Sequence, residues 1–279
     1  MLVGATGLVG AECLRLLLAD PGVARVVVLA RRPLADALVS SKLAAHVVDF
    51  DRLGAHADLF AADQLICALG TTIGQAGSKE RFRAVDYGIP LALGKLAAER
   101  GVRHYLLVSA LWADASSKVF YNHVKGELEE ALSALPFRSL SIVRPSLLLG
   151  DRREFRLGEF IAKRFAFLAP GKYAPIPARD VAAGLVRLAA EDAPERRVVE
   201  SAEMRAWAKS AAAARHGGAA CGAARRPVRG ATDLGEHDER AGGRLRPRSH
   251  RPDLHRRPRC GARGGVLPRR ARDDVPLQR

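Results

Sequence analysis

Four residues into the chain, the run Gly4-Ala5-Thr6-Gly7-Leu8-Val9-Gly10 follows apolar Met1-Leu2-Val3 and precedes a helical pattern carried by Leu14, Leu17 and Leu18. That is strand, glycine turn, helix, an order that few folds accommodate. Gly4 permits the tight turn, Gly7 lets backbone approach a pyrophosphate, and Gly10 lets helix and strand pack closely. The helix N-terminus adds amide donors and the positive end of its dipole. Gly4, Thr6, Gly7, Leu8 and Val9 are therefore candidate cofactor-binding residues.

The rest of the first 204 residues repeats the alternation. Pro21-Gly22 ends the first helix, and Val26-Val27-Val28-Leu29 reads as a second buried strand. Val47-Val48 makes a third and Gln64-Leu65-Ile66-Cys67-Ala68 a fourth. A helical stretch over Lys79–Arg100 should kink or break near Pro90, which has no N–H to give. Tyr105-Leu106-Leu107-Val108 is a fifth strand, Tyr121–Ala134 a helix closed by Pro136, and Ser139–Val143 a sixth strand. Short apolar strands alternating with amphipathic helices predict an α/β fold, a doubly wound parallel sheet of Rossmann-like type. The first strand has three residues ahead of Gly4, where a central strand usually has about five or six. It should be weakly held, as if the coding start had been placed late or the N-terminus lost.

Charge is not spread evenly along the 279 residues. Residues 1–200 hold 26 Lys and Arg against 22 Asp and Glu, whereas residues 201–279 hold 19 against 8, so most of the net +15 sits in the tail. Within residues 211–279, Arg, Ala, Gly and Pro fill 45 of 69 positions, and Lys, Ile, Phe, Tyr, Trp, Met and Asn are missing. Such a segment buries too little apolar surface to offset its ordering entropy. The domain boundary is thus expected after Met204, with 205–279 disordered or non-native. All four abundant residues have codons built from G and C alone, as a GC-rich gene read in a shifted frame would give. Nucleic-acid binding would follow only from a genuine basic arm. The chain offers no apolar run of 18 residues, no secretory signal, and four scattered cysteines without metal-ligand spacing. The expectation is therefore a cytoplasmic protein with a small-molecule substrate, no membrane span and no metal.

The second strand ends Leu29-Ala30-Arg31-Arg32 where an acidic residue would grip a ribose 2′-hydroxyl. Two guanidinium groups suit a 2′-phosphate, so Arg31 and Arg32 predict NADP(H) in preference to NAD(H). Asp49-Phe50, ending the third strand, could touch the adenine, although Phe50 reads equally as core. Tyr121 and Lys125 lie one helical turn apart and share a face, and Ser109 ends the fifth strand at the carboxyl edge. There an ammonium lowers the phenol's pKa, a serine hydroxyl orients a carbonyl, and the phenol exchanges a proton with the substrate oxygen. Ser109, Tyr121 and Lys125 are the candidate catalytic residues. His123 points elsewhere on the helix and reads as structural. The charges over Asp151–Lys172 suit either an anionic substrate or a solvated helix face.

Several stretches together carry a resemblance. Besides the opening turn they are Ala68-Leu69-Gly70-Thr71-Thr72, Ala76-Gly77-Ser78, Val85-Asp86-Tyr87 and Leu107-Val108-Ser109-Ala110. Phe120-Tyr121-Asn122-His123-Val124-Lys125-Gly126 and Arg144-Pro145-Ser146-Leu147-Leu148-Leu149-Gly150 complete the set. Residues 1–204 resemble the short-chain dehydrogenase/reductase superfamily, in an atypical NAD(P)H-binding branch that includes the Tat-interacting-protein-like oxidoreductases. The resemblance implies catalytic roles for Ser109, Tyr121 and Lys125. It implies that Leu69 and Gly70 line the cofactor and that Pro145 borders the nicotinamide. An NADP(H)-dependent oxidoreductase of a small carbonyl or alcohol is the expected function. The alternatives are an NADPH-sensing binding protein with little turnover, or a sugar-nucleotide epimerase or dehydratase. Trp112 stands where the family has a small glycine, narrowing the substrate mouth. The Arg-rich tail replaces the family's last helical and strand elements, so residues 180–204 are not expected to fold securely.

Overall fold

The computed structural model describes residues 1–34, 40–149 and 174–220, with side chains through 213. The chain divides into two compact units, Met1–Arg225 and Arg226–Arg279. The second lies outside the described residues, as do Gly150, the charged stretch Asp151–Lys172 and the tail from Cys221.

Seven strands form one sheet in the order β3-β2-β1-β4-β5-β6-β9. They are β1 (Leu2–Val3), β2 (Val26–Ala30), β3 (Leu43–Val47), β4 (Gln64–Cys67), β5 (His104–Val108), β6 (Ser139–Arg144) and β9 (Arg196–Glu200). Every pairing in it is parallel, so all carboxyl ends lie on one edge. β7 (Leu148–Leu149) and β8 (Ile176–Pro177) form a separate small parallel pair. This is the doubly wound architecture, with its switch in strand order between β1 and β4.

Alternation along each strand distributes side chains between two cores. Leu2, Val26, Val28, Ile66, Leu106 and Val143 point to one face, against α1 (Leu8–Ala19) and α6 (Ala178–Glu191). Val3, Val27, Leu29, Leu65, Tyr105, Leu107 and Ile142 point to the other, against α4 (Ile89–Glu99) and α5 (Phe120–Ser133). A fully buried leucine such as Leu2 or Leu106 contributes about 2 kcal/mol.

β1 is as short as expected, yet its central position compensates. Leu2 and Val3 are fully buried and pair on both sides, with β2 and β4. The terminal ammonium of Met1 donates to the Gln64 carbonyl at 2.7 Å. The stretch over 180–204, which the sequence reading did not expect to fold securely, is folded. α6 packs on α1, β9 pairs with β6, and Val199 and Met204 enter the core. α7 (Ser201–Ala220) then runs through the boundary expected after Met204, so a change in composition does not mark the end of an element.

The helical stretch breaks as Pro90 required, and the break is a wide turn. α3 (Lys79–Arg83) passes into a π-type turn, Ala84–Gly88, before α4 begins with Pro90 in its first turn. The Ile89 amide reaches back five residues to the Ala84 carbonyl. Proline's ring would clash with the carbonyl four residues earlier, that of Asp86, and a wider turn relieves it.

On the edge of the sheet opposite the glycine turn, His104 is buried, with Nε2 2.9 Å from Ser141 Oγ and Nδ1 3.4 Å from Asp192. Burial lowers its pKa below the ordinary histidine value, with Asp192 opposing and Arg138 assisting. The native state therefore stays neutral at pH values where the unfolded chain takes up a proton. Stability is expected to be full above about pH 6.5 and to fall as pH drops through the native pKa. Urea melts from pH 7.5 to 5 should show this slope, and His104→Gln should flatten it.

Candidate functional site

At the switch point the chain makes close backbone approaches. Gly4 has φ +88°, and a Cβ there would lie 2.5 Å from the Ala68 carbonyl oxygen. Gly7, the N-cap of α1, donates its amide to the Gly4 carbonyl at 2.9 Å. It has no side chain with which to cap the helix, and the first turn carries no acidic residue. The amides and dipole of the α1 N-terminus are thus left for an outside anion.

A cleft of about 400 Å³ opens beside this turn, lined by Gly4, Ala5, Thr6, Leu29, Ala30, Arg31, Arg32, Pro33, Phe50 and Leu69. Gly4, Thr6, Arg31, Arg32, Phe50 and Leu69 from the sequence-derived set meet there. Arg31 and Arg32 are exposed at the end of β2. The set fits a dinucleotide: a bare helix terminus for phosphates, a partly buried phenyl ring for adenine, and two guanidinium groups beside it. Other members lie outside the lining. Val9 packs into the core. Asp49 caps the 3-10 segment Phe50–Phe60, accepting from the Asp51 amide. Pro145 uses its carbonyl to accept from the Leu111 amide, tying the loop after β5 to that after β6. Gly70 lies next to Thr71, whose amide donates to Asp86.

Tyr121 and Lys125 share a face of α5, as their spacing predicts. The Tyr121 ring packs on buried Phe82, with centroids 5.3 Å apart. Lys125 is buried, and its Nζ lies 2.7 Å from Asp86 Oδ1. Desolvation works to strip its proton, but the Asp86 carboxylate, helped by the negative charge of an ionised Tyr121, outweighs it and raises its pKa. The ammonium is therefore permanent at working pH. Asp86 sits on the π-type turn and also accepts from the Thr71 amide at 2.9 Å, joining the loop after β4 to the lysine.

Ser109 occupies the carboxyl end of β5 but has a different partner. Its hydroxyl donates to Glu129 Oε1 at 2.5 Å, and Glu129, itself buried, is gripped by Arg144 through Nε and Nη2. To donate to a substrate carbonyl, Ser109 must exchange this bond. His123 lies on the helix surface, 3.5 Å from Glu127.

Sequence reasoning quoted Asp86 and Arg144 only within motifs and gave them, like Glu129, no role. Glu129 is four residues from Lys125, but a surface pair and a buried one look alike in sequence. A buried lysine demands a counter-ion, yet that ion comes from 39 residues earlier, across a fold contact. Gly126, quoted in the same way, also had no role. A Cβ there would fall 2.1 Å from the backbone of Asp114 and Ala115, so this glycine seats the loop after β5 directly on α5.

Among the described residues no group of three or more His, Cys, Asp or Glu could hold a metal ion, and no helix is long and apolar enough to cross a membrane.

The parallel sheet, its switch-point cleft and the tyrosine–lysine helix define a Rossmann-type domain of the short-chain dehydrogenase/reductase kind. No family model matches the chain. It is 36% identical over 170 residues to the mitochondrial protein fmp52 of Emericella nidulans, covering 59% of this chain and 73% of that one. It is 35% identical over 175 residues to protein HTATIP2 of Rattus norvegicus, covering 62% and 72%. A solved structure of MoeE5 in complex with UDP-glucose and NAD shares the fold, with TM-score 0.56, 15% identity, and 71% and 73% of the two chains covered. The chain belongs to the atypical short-chain dehydrogenase/reductase family of HTATIP2 and Fmp52. The cytoplasmic expectation is corrected by the same comparison. Fungal relatives are named as mitochondrial, which points to mitochondria and away from the cytoplasm. Absence of a secretory signal says nothing about that compartment.

Proposed function

We propose that this protein is an NADP(H)-dependent oxidoreductase acting on a small-molecule carbonyl or alcohol. The observation that carries this reading is the buried Lys125 ammonium, 2.7 Å from Asp86 Oδ1 and one helical turn from Tyr121 on α5. A nicotinamide cofactor, when bound, would exchange a hydride with the carbonyl carbon. Gly4, Thr6 and the N-terminus of α1 would hold its phosphates, Phe50 its adenine, and Arg31 and Arg32 a 2′-phosphate. In reduction, the Tyr121 hydroxyl gives its proton to the substrate oxygen, leaving a phenolate that Lys125 stabilises. In oxidation the phenolate takes the proton back. Ser109 would orient the substrate oxygen once its hydroxyl leaves Glu129.

Two relations support a nicotinamide cofactor: the family of the chain, and the NAD complexes of MoeE5 and WbmG, neighbours of the same fold. The test is cofactor consumption over a panel of aldehydes, ketones and quinones. NADPH should be preferred to NADH by at least tenfold, and Arg31→Ala with Arg32→Ala should abolish the preference. Tyr121→Phe should lower turnover by about 10²–10⁴-fold while cofactor still binds. Tight NADPH binding without turnover of any substrate would identify a cofactor-sensing protein instead.

A further inference from the structure

Tyr121, Lys125 and Glu129 follow one another at four-residue intervals on α5, so they share one face of the helix. Glu129 has no part in the chemistry described so far, yet it is 2% exposed and holds groups from two neighbouring strand ends. Ser109, 5% exposed and next after β5, donates to Glu129 Oε1 at 2.5 Å. Arg144, the last residue of β6, places Nε 3.0 Å from Oε1 and 3.2 Å from Oε2, and Nη2 2.5 Å from Oε2. The Ser109 amide donates to the Val143 carbonyl at 2.8 Å, which fixes the two strand ends side by side.

A carboxylate gripped by a guanidinium fork has no proton to give, so the serine is the donor in this contact. A hydrogen bond to a charged acceptor is roughly twice as strong as one to a neutral carbonyl. A substrate carbonyl in its ground state therefore loses the competition for the Ser109 hydroxyl. The balance changes as the carbonyl is reduced, because negative charge then gathers on its oxygen and the two acceptors become comparable. Release of the serine leaves no orphan behind: Oε1 keeps its bond from Arg144 Nε, and Oε2 its bond from Nη2.

We propose that Glu129, held by Arg144, is a positioning residue that reserves the Ser109 hydroxyl for the charged oxygen of the transition state. The proposal rests on the oxidoreductase reading of the same site and deepens it. In the exchange the covalent O–H bond of Ser109 stays intact. Its hydrogen bond to Glu129 Oε1 breaks and one to the substrate oxygen forms, while the transferred proton still comes from Tyr121. Ser109 then contributes to turnover and little to substrate affinity.

The test is steady-state reduction of benzaldehyde by NADPH in single and double variants of the full chain. Ser109→Ala should lower kcat about a hundredfold and change KM by less than about twofold. Glu129→Gln removes the charged acceptor whichever way its amide turns. The serine is then free for the ground-state carbonyl, and KM should fall about fivefold. In the Ser109→Ala background the same substitution should leave KM within about twofold, whereas a merely structural role would act alike in both backgrounds. Arg144→Lys, which keeps the charge but loses the fork, is the second variant should Glu129→Gln fold poorly. With a poorer partner the carboxylate holds the serine more firmly, and kcat should fall about fivefold only where Ser109 is present. Urea denaturation of the same variants, with nothing bound, should show Ser109→Ala and Glu129→Gln to be non-additive. A KM that rises in Ser109→Ala as steeply as kcat falls, a KM unchanged or raised in Glu129→Gln, or an equal shift in both backgrounds would overturn the proposal. Turnover that persists in Tyr121→Phe would instead defeat the oxidoreductase reading, with the non-additivity of the melts unchanged.

Discussion

Lys125→Met is expected to lower stability by about 3–5 kcal/mol and cofactor-linked turnover by at least about a hundredfold. The side chains of Lys125 and Asp86 are both almost fully buried, so each is tolerable only because of the other. Removing the ammonium leaves a carboxylate in a dry interior, with the Thr71 amide as its remaining partner. The penalty is that of an uncompensated buried charge, which exceeds the net value of the pair itself. For a domain of this size the loss corresponds to a fall in Tm of roughly 6–20 °C. A second variant separates the lysine's two roles. Lys125→Met combined with Asp86→Leu removes both charges and should recover most of the stability, because a buried pair can often be replaced by apolar groups at little cost. Activity should not return, since the phenolate of Tyr121 would still lack its counter-ion. Thermal melts and steady-state kinetics on the three proteins check both expectations. Recovery of turnover in the double variant would remove the lysine from the chemistry.

Gly10→Ala should be nearly as damaging, although it adds a single methyl. That carbon would lie 2.0 Å from the Gly4 carbonyl oxygen and 2.6 Å from the Gly4 carbonyl carbon. Both are backbone atoms, and no rotamer change can relieve the clash. α1 must move off the turn, at a cost of about 3 kcal/mol in stability. The Gly4 carbonyl also receives the Gly7 amide, so the displaced helix distorts the phosphate cradle. NADPH affinity should fall at least tenfold. Gly54→Ala serves as control: a Cβ there meets nothing within 4 Å, and stability should change by no more than about 0.5 kcal/mol. Urea denaturation and NADPH titration of the two variants test the contrast. Equal behaviour would mean that Gly10 is not needed for close packing.

Much of the fold was legible because apolar strands and glycine turns are local signals. Val26–Leu29, Gln64–Ala68 and Tyr105–Val108 each overlap an observed strand, shifted at most by a residue at either end. Where the signal was weak, the reading failed. β3 spans Leu43–Val47 and is half exposed at the sheet's edge, so it lacks the continuous apolar run that marks a buried strand. β9, Arg196–Glu200, is an edge strand with three charged residues, and only its pairing with β6 makes it a strand. α6 was missed beside it, although Val181, Leu185 and Leu188 recur at helical spacing.

The site divides in the same way. Tyr121 and Lys125 are neighbours through helical periodicity, and Gly4, Gly7 and Gly10 through one turn, so their relations follow from spacing in the chain. The amino-acid sequence by itself determined the alternating elements, the glycine turn and the shared face of the tyrosine and lysine. Only the folded chain brought Asp86 beneath Lys125, Glu129 onto Ser109, and the loops after β4, β5 and β6 to the same edge of the sheet. Periodicity acts over a few residues, whereas the partner of a buried charge is chosen by which distant segment packs against it, and that choice exists only once the sheet has assembled.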